Sequence, residues 1–201
     1  MKRVNDFDGV ACFYDLLARL VFGNTIIEAS SHYLSKLSAG DSILIVGGGT
    51  GKILKDIPAG VNVDYVEYSA QMLKRSQRYS REEIRFIQGD FFEVELKGNY
   101  DYVVFPFFLD LFSDEKIRKA IYKVRLLLKP SGKLIVTDFQ STHHFFQKLL
   151  ISSMILFFRV SARMESKRLE SIMEILSEEK FVEEDGHLWK RGMIFSSIFR
   201  P

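Results

Sequence analysis

Residues 43–54 read Ile43-Leu44-Ile45-Val46-Gly47-Gly48-Gly49-Thr50-Gly51-Lys52-Ile53-Leu54. The first four are all apolar and predict a short strand buried on both faces. Gly47, Gly48, Gly49 and Gly51 then crowd together, and residues 52–57 read as the start of a helix. A strand that breaks at glycines and feeds a helix N-terminus presents bare backbone N–H groups to a ligand. Two known loops fail on spacing. A P-loop needs glycine where Val46 stands and a hydroxyl where Ile53 stands. The dinucleotide fingerprint needs Gly or Ala where Lys52 stands. What remains is Gly47-x-Gly49-x-Gly51, a glycine at every second position. A glycine-rich turn that binds nothing is the plain alternative.

The rest of the chain supports a fold around this loop. Its 201 residues suit one domain with a full core. Hydrophobic content of 47% and charged content of 27% are ordinary for a soluble protein. A net charge of +2 gives no strong field toward nucleic acid. The lone cysteine, Cys12, cannot close an internal disulfide, which points to a reducing, cytoplasmic compartment. The charged start, from Met1 to Asp6, does not read as a signal peptide.

Residues 7–37 read as two helices, the second capped by Thr25, so that residues 1–40 form an N-terminal helical cap. Residues 61–68 read as a second strand with Glu67 at its end, twenty residues after Gly47. A carboxylate there can accept hydrogen bonds from both hydroxyls of a ribose. Asp64, inside the strand, is the poorer candidate. Ser69 is placed to cap a helix that runs through Met72 to about Tyr79. Its Lys74, Arg75, Arg78 and Arg81 read as a solvated basic face. Residues 84–88 form a third short strand, followed by Gly89-Asp90-Phe91-Phe92. A carboxylate beside an aromatic ring can bond an adenine amino group while the ring covers the base; a plain Gly-Asp turn is the alternative.

Residues 100–106 are the fourth strand, closed by Pro106, which lacks an N–H. The aromatic run after it walls a pocket or fills the core. Ser113 caps a helix to about Leu128. Residues 129–133, Lys-Pro-Ser-Gly-Lys, are a turn. Residues 134–138 are the fifth strand, with Asp138 at its tip. Residues 140–165 form an apolar insert that opens on His143 and His144. Its ten-residue core, 149–158, is shorter than the roughly twenty residues that span a bilayer. A substrate lid ranks first for this insert, a buried helix second and an interfacial anchor third. A last helix over 165–179 precedes two strands, 181–189 and 192–199, joined at Lys190-Arg191-Gly192.

Four of these features in this order resemble the class I S-adenosylmethionine-dependent methyltransferases of the small-molecule type, across about residues 42–201. Residues 46–51 match that family's first motif, Glu67 its ribose-binding acid, Gly89-Asp90-Phe91 its adenine motif, and residues 127–134 the turn before its fifth strand. The resemblance implies an α/β fold. It is a Rossmann-like, doubly wound seven-stranded sheet, mostly parallel, with a C-terminal antiparallel hairpin strand. It implies S-adenosyl-L-methionine as cofactor, held by Gly47, Gly48, Gly49, Gly51, Glu67, Tyr68, Met72, Asp90, Phe91 and Pro106, with Tyr14 from the helical cap. No metal ligands are assigned. The amino-methylating motif Asn/Asp-Pro-Pro-Tyr is replaced here by Phe105-Pro106-Phe107-Phe108, and Cys12 lies outside any cytosine-methylating motif. Both departures point away from nucleic acid and toward a small, lipophilic acceptor, with peripheral membrane contact allowed but not required.

Methyl transfer needs the acceptor held in line with the methyl group, and such positioning can supply up to about 7–11 kcal/mol of the barrier. An O- or N-acceptor also sheds a proton. Asp110, Asp138, His143 and His144 are the candidate bases. His143 and Asp110 are taken as the catalytic pair of choice, His143 for its unperturbed pKa. A cofactor-binding regulatory protein without turnover is the first alternative, and a nicotinamide oxidoreductase the second.

Overall fold

The computed structural model describes residues 22–140 and 172–201. The first helix of the cap, with Cys12 and Tyr14, lies outside the described residues. So does the apolar insert beyond Gln140, including His143 and His144. The described elements run α1 (Thr25–Ser31), β1 (Ser42–Val46), β2 (Asn62–Glu67), α2 (Ala70–Ser76), β3 (Ile84–Gln88), β4 (Tyr100–Pro106), α3 (Asp114–Leu127), β5 (Leu128–Phe139), α4 (Ile172–Glu178), β6 (Val182–Trp189) and β7 (Ile194–Arg200).

Seven strands form one sheet in the order β3-β2-β1-β4-β5-β7-β6. The first five are parallel to one another. The last strand, β7, inserts antiparallel between β5 and β6. Chain order reverses at β1, where β2 lies on one side and β4 on the other. In an open α/β sheet a ligand binds at the carboxyl ends of the strands beside such a switch.

Strands β1 and β4 have no polar face because both faces are covered. Ile43 and Ile45 pack with Val63, Tyr65, Leu73 and Leu34 on one side. Leu44 and Val46 pack with Phe105, Val136, Ile117 and Ile121 on the other. The alternation is the period of two expected of a strand. The second layer is anchored by α3, which buries Ile117, Ala120, Ile121, Val124 and Leu127 at helical spacing. Arg118 ties α3 to the end of α4, bonding Glu178 and, at 2.8 Å, Glu179. Lys123 donates to the carbonyls of Phe91 (2.6 Å) and Val94 (2.8 Å), fixing the loop after β3 on the same helix.

Several local readings need correction. Thr25 is the first residue of α1 rather than its cap; the cap position belongs to Asn24, which makes no side-chain cap bond. Residues Lys52–Asp56 form a tight 3₁₀ turn, not an α-helix, because they must re-enter the core at Ile53 and Leu54 within one turn. Ser113 occupies the cap position of α3, but its side chain makes no cap bond. The Lys-Pro-Ser-Gly turn is instead a bulge within β5: Tyr100 pairs with Leu128 and Tyr102 with Lys133, so the residues between them have no partner in the ladder. Gly132 is needed there, since an added Cβ would lie 2.7 Å from the Tyr100 carbonyl.

The β6–β7 hairpin turns through three successive residues with positive φ, Lys190 (49°), Arg191 (55°) and Gly192 (83°). Two of them carry a Cβ, and each such residue costs roughly 1–2 kcal/mol. Replacing Arg191 with glycine is therefore expected to stabilise the protein by about 1 kcal/mol, net of the entropy glycine adds to the unfolded chain. A rise of a few degrees in melting temperature would show it, and a fall would contradict the turn geometry.

Candidate active site

The glycine loop leaves β1 in an alternating conformation. Gly47, Gly49 and Gly51 all have positive φ, at 71°, 61° and 74°. That alternation is the physical reason for glycine at every second position, because a Cβ is disfavoured in the left-handed region. The four glycines differ in what surrounds them. A Cβ on Gly47 would meet the Phe108 ring at 2.8 Å, one on Gly48 the Tyr65 ring at 2.5 Å, and one on Gly51 would meet Ser76 at 2.5 Å. On Gly49 it would meet no protein atom within 4 Å. Three glycines let the loop lie flat on the core; at the fourth, Gly49, the side where a Cβ would stand is open.

Two side chains from β2 hold the loop. Tyr65 lies beneath it, fully buried, and its hydroxyl donates to the Gly49 carbonyl at 2.9 Å. Burial, then the nearby Glu67 charge, raises the Tyr65 phenol well above its ordinary range, so it stays a donor. Glu67 is 8% exposed. Its Oε2 accepts from the Gly49 N–H at 3.0 Å and its Oε1 from the Ser69 N–H at 2.8 Å. The carboxylate thus links the tips of β1 and β2. Ser69 caps α2 as expected, with Oγ accepting from the Met72 N–H at 3.2 Å. Tyr68 is half-buried beside this acid, and Met72 is 3% exposed. Asp64 is excluded as the ribose acid. It is bound by Arg85 at 2.7 and 2.5 Å and by the Tyr100 hydroxyl at 2.5 Å.

Asp90 follows β3, which aligns with β2 so that Gln88 pairs with Glu67. Its Oδ1 accepts from the Phe92 N–H at 2.9 Å, which shapes the turn. Gly89 N–H donates to the Glu67 carbonyl at 3.1 Å, bringing the two acidic tips together. Phe91 corrects the expectation of a ring covering a base. It is 3% exposed and packs edge-on against Phe92, Phe105 and Phe108. An aromatic after an acid serves the core here because β4 and the turn after it deliver two further rings, Phe105 and Phe108, to the same spot.

The tips of β4 and β5 carry the second half of the site. Pro106 pairs with Thr137 at the end of the ladder. Phe107 takes a φ of 52° and donates its N–H to the Thr137 carbonyl at 2.7 Å. The chain then turns through a 3₁₀ turn, Leu109–Leu111. Asp138 is fully buried and closes that turn. It accepts from the N–H groups of Leu109 (3.0 Å), Asp110 (3.2 Å) and Phe139 (2.9 Å). Asp110 as a residue is half-buried, but its Oδ1 is enclosed and has no hydrogen-bond partner. Burial pushes the Asp110 carboxyl up to about 7. Burial and the Asp110 charge push Asp138 up as well.

Glycine loop, Glu67 and Asp90 thus meet at three adjacent strand ends, and Asp110 with Asp138 at the next two. Tyr14 and His143 lie outside the described residues. Tyr65 and Lys123, which hold the loops in place, were not among the expected site residues; their signal was only inward-facing placement on a strand and a lysine on a helix.

Residues 43–132, from the first strand through the bulge of β5, match the family model described as a methyltransferase domain. The matched stretch is that of a methyltransferase domain and takes in the glycine loop, Glu67 and Asp90. Solved structures agree on the fold. A mitomycin 7-O-methyltransferase aligns with a TM-score of 0.70 at 17% identity, covering 98% of this chain and 61% of that one. An S-adenosylmethionine-dependent methyltransferase from Clostridium acetobutylicum aligns at 0.68 and 12% identity, covering 95% and 98%. Human N-acetylserotonin methyltransferase, solved with S-adenosylmethionine, aligns at 0.66 and 18% identity, covering 94% and 55%. The chain therefore spans 61% and 55% of the mitomycin and human proteins but almost all of the clostridial one. No curated protein sequence matches the chain.

A methyltransferase domain of this kind implies S-adenosyl-L-methionine as cofactor, and the residues present fit it. The open side of Gly49 leaves room for a ligand to approach the loop. The neighbouring Glu67 supplies acceptor oxygens for hydroxyl groups, and Asp90 supplies a carboxylate one strand further. When bound, S-adenosylmethionine supplies a methyl group activated by the charge on its sulfur. Among the described residues no helix is long and apolar enough to cross a membrane.

Proposed function

We propose that this protein transfers the methyl group of S-adenosylmethionine to a small, lipophilic O-, N- or C-acceptor. The observation that carries the reading is the contact between Glu67 Oε2 and the Gly49 N–H, which sets a buried carboxylate against an outward-facing glycine loop at the sheet's switch point. The apolar surroundings of the β4 and β5 tips support a lipophilic acceptor. Phe107 and Phe139 pack with ring centroids 4.8 Å apart, and Phe22 lies 5.3 Å from Phe139. The small net charge supports neither nucleic acid nor a strongly anionic surface as partner. Among the similar structures, the mitomycin and N-acetylserotonin methyltransferases carry small-molecule acceptors in their names.

The test is methyl-labelled S-adenosylmethionine incubated with the protein and fractionated cell extract. Label in the organic-extractable small-molecule fraction is the expected result. Label confined to precipitable protein or nucleic acid would overturn the acceptor class. Tight cofactor binding with no transfer would favour the regulatory alternative.

A further inference from the structure

Gly49 is held differently from the other glycines of its loop. Gly47, Gly48 and Gly51 lie close against Phe108, Tyr65 and Ser76, whereas a Cβ on Gly49 would meet nothing within 4 Å. Packing fixes three of the glycines, and hydrogen bonds fix the fourth. Both bonds come from β2. Glu67 Oε2 accepts from the Gly49 N–H at 3.0 Å, and the Tyr65 hydroxyl donates to the Gly49 carbonyl at 2.9 Å. Residues 65 and 67 stand two apart on a strand, so their side chains leave the same face. The N–H belongs to the Gly48–Gly49 peptide and the carbonyl to the Gly49–Thr50 peptide. Each peptide is planar, so the two bonds set the planes on both sides of the Gly49 Cα.

We propose that Tyr65 is a positioning residue for S-adenosylmethionine, acting through the Gly49 carbonyl to hold the glycine loop in its binding conformation before the cofactor arrives. The proposal rests on the methyltransferase reading and assigns a role to a residue that touches no ligand. Tyr65 has no exposed surface, so its effect on binding passes through the loop.

The geometry explains why a tyrosine suits this task. Its ring belongs to the buried cluster of Ile43, Ile45 and Leu73 and meets Phe86 edge-on at 5.5 Å, so the hydroxyl cannot swing away. The same ring lies so close under Gly48 that a Cβ there would come within 2.5 Å of it. One side chain thus supports Gly48 by contact and Gly49 by a hydrogen bond. The support matters because four of the five residues from 47 to 51 are glycine, the residue with the most backbone freedom to lose. Without the hydroxyl the Gly49–Thr50 peptide loses its tie to β2 and the loop spreads over more conformations. Apparent affinity then falls in proportion to the fraction of loops still able to bind.

Tyr65→Phe in the full-length chain removes the hydroxyl and keeps the ring. Tyr100→Phe is the control, because Tyr100 is also buried and its hydroxyl bonds Asp64 at the end of β4 away from the site. Both variants should lower the melting temperature. Calorimetry with S-adenosylhomocysteine is expected to show a loss of about fivefold to tenfold for Tyr65→Phe. Tyr100→Phe should stay within about twofold of wild type, a separation that a purely structural role does not produce. Hydrogen exchange of the ligand-free protein reads the loop without any ligand. The Gly49 amide should exchange at least tenfold more slowly than in an unfolded chain, and lose most of that protection in Tyr65→Phe but not in Tyr100→Phe. Affinity within twofold of wild type in Tyr65→Phe, equal losses in the two variants, or unchanged Gly49 exchange in Tyr65→Phe would overturn the proposal. If Tyr65→Phe does not fold, the wild-type exchange decides, since an unprotected Gly49 amide contradicts a loop held in advance. Failure of the wild type to bind S-adenosylhomocysteine would instead remove the methyltransferase reading, while the exchange would still show whether Tyr65 holds the loop.

Discussion

Glu67→Ala is expected to weaken binding of S-adenosylhomocysteine by at least tenfold and to destabilise the protein at the same time. Both effects come from one carboxylate. Its Oε2 holds the Gly49 N–H and its Oε1 the Ser69 N–H. Truncation leaves two donors that the fold has shielded, each costing about 1–3 kcal/mol. It also removes the acceptor oxygens available to ligand hydroxyls. Glu67→Gln separates the two roles. The amide oxygen can keep one N–H partner, but the amide nitrogen cannot accept the other. A partial loss of stability with a full tenfold loss of affinity is therefore expected for Gln. Unchanged affinity in Glu67→Ala by calorimetry would refute the ribose assignment.

Gly51→Val should be the most damaging change in the loop. Its φ of 74° disfavours any side chain, and the added Cβ would lie 2.5 Å from the Ser76 Cβ and 2.9 Å from its Cα. The second contact is backbone of α2 and cannot swing away. Left-handed strain of roughly 1–2 kcal/mol adds to an overpacking cost of about 1–3 kcal/mol, so a loss of about 2–5 kcal/mol is expected. The contrast is Gly49→Val. It shares the strain, with φ at 61°, but its Cβ meets no protein atom within 4 Å. It should stay folded, lose only about 1–2 kcal/mol, and yet fail to bind cofactor because the side chain fills the backbone approach. Denaturant unfolding and cofactor titration of both variants check this. Equal stability of the two would contradict the packing of Gly51 on α2, and a Gly49→Val protein that binds would contradict the loop's role.

The strands along the chain and the glycine loop were legible because their signals are local, whereas the sheet arrangement was only implied by the resemblance. Apolar runs fixed β1, β3 and β4 almost to the residue, and Pro106 marked the end of β4. The alternate glycines report a backbone conformation that few other residues adopt. Contacts made at a distance were hidden. The carboxyl pair joins residues 28 apart in the chain, brought together only by the parallel register of β4 on β5. Nothing in the pattern Gly89-Asp90-Phe91 shows that the Phe91 ring turns inward, because that depends on Phe105 and Phe108 arriving from β4 and the turn after it. The bulge in β5 was read as a turn for a related reason. Its Pro and Gly signal a break in the ladder, and whether the strand resumes pairing on both sides is decided by β4. Glu67 was singled out by position, but its hold on Gly49 and Ser69 needed coordinates, since hydrogen-bond partners across a loop are not encoded in spacing.

The account stands on the cofactor site, and calorimetric titration with S-adenosylhomocysteine, using NAD as the control ligand, tests it most directly. Micromolar binding of S-adenosylhomocysteine with no heat from NAD is the predicted result. A folded sample that binds NAD, or that binds neither ligand, would contradict it.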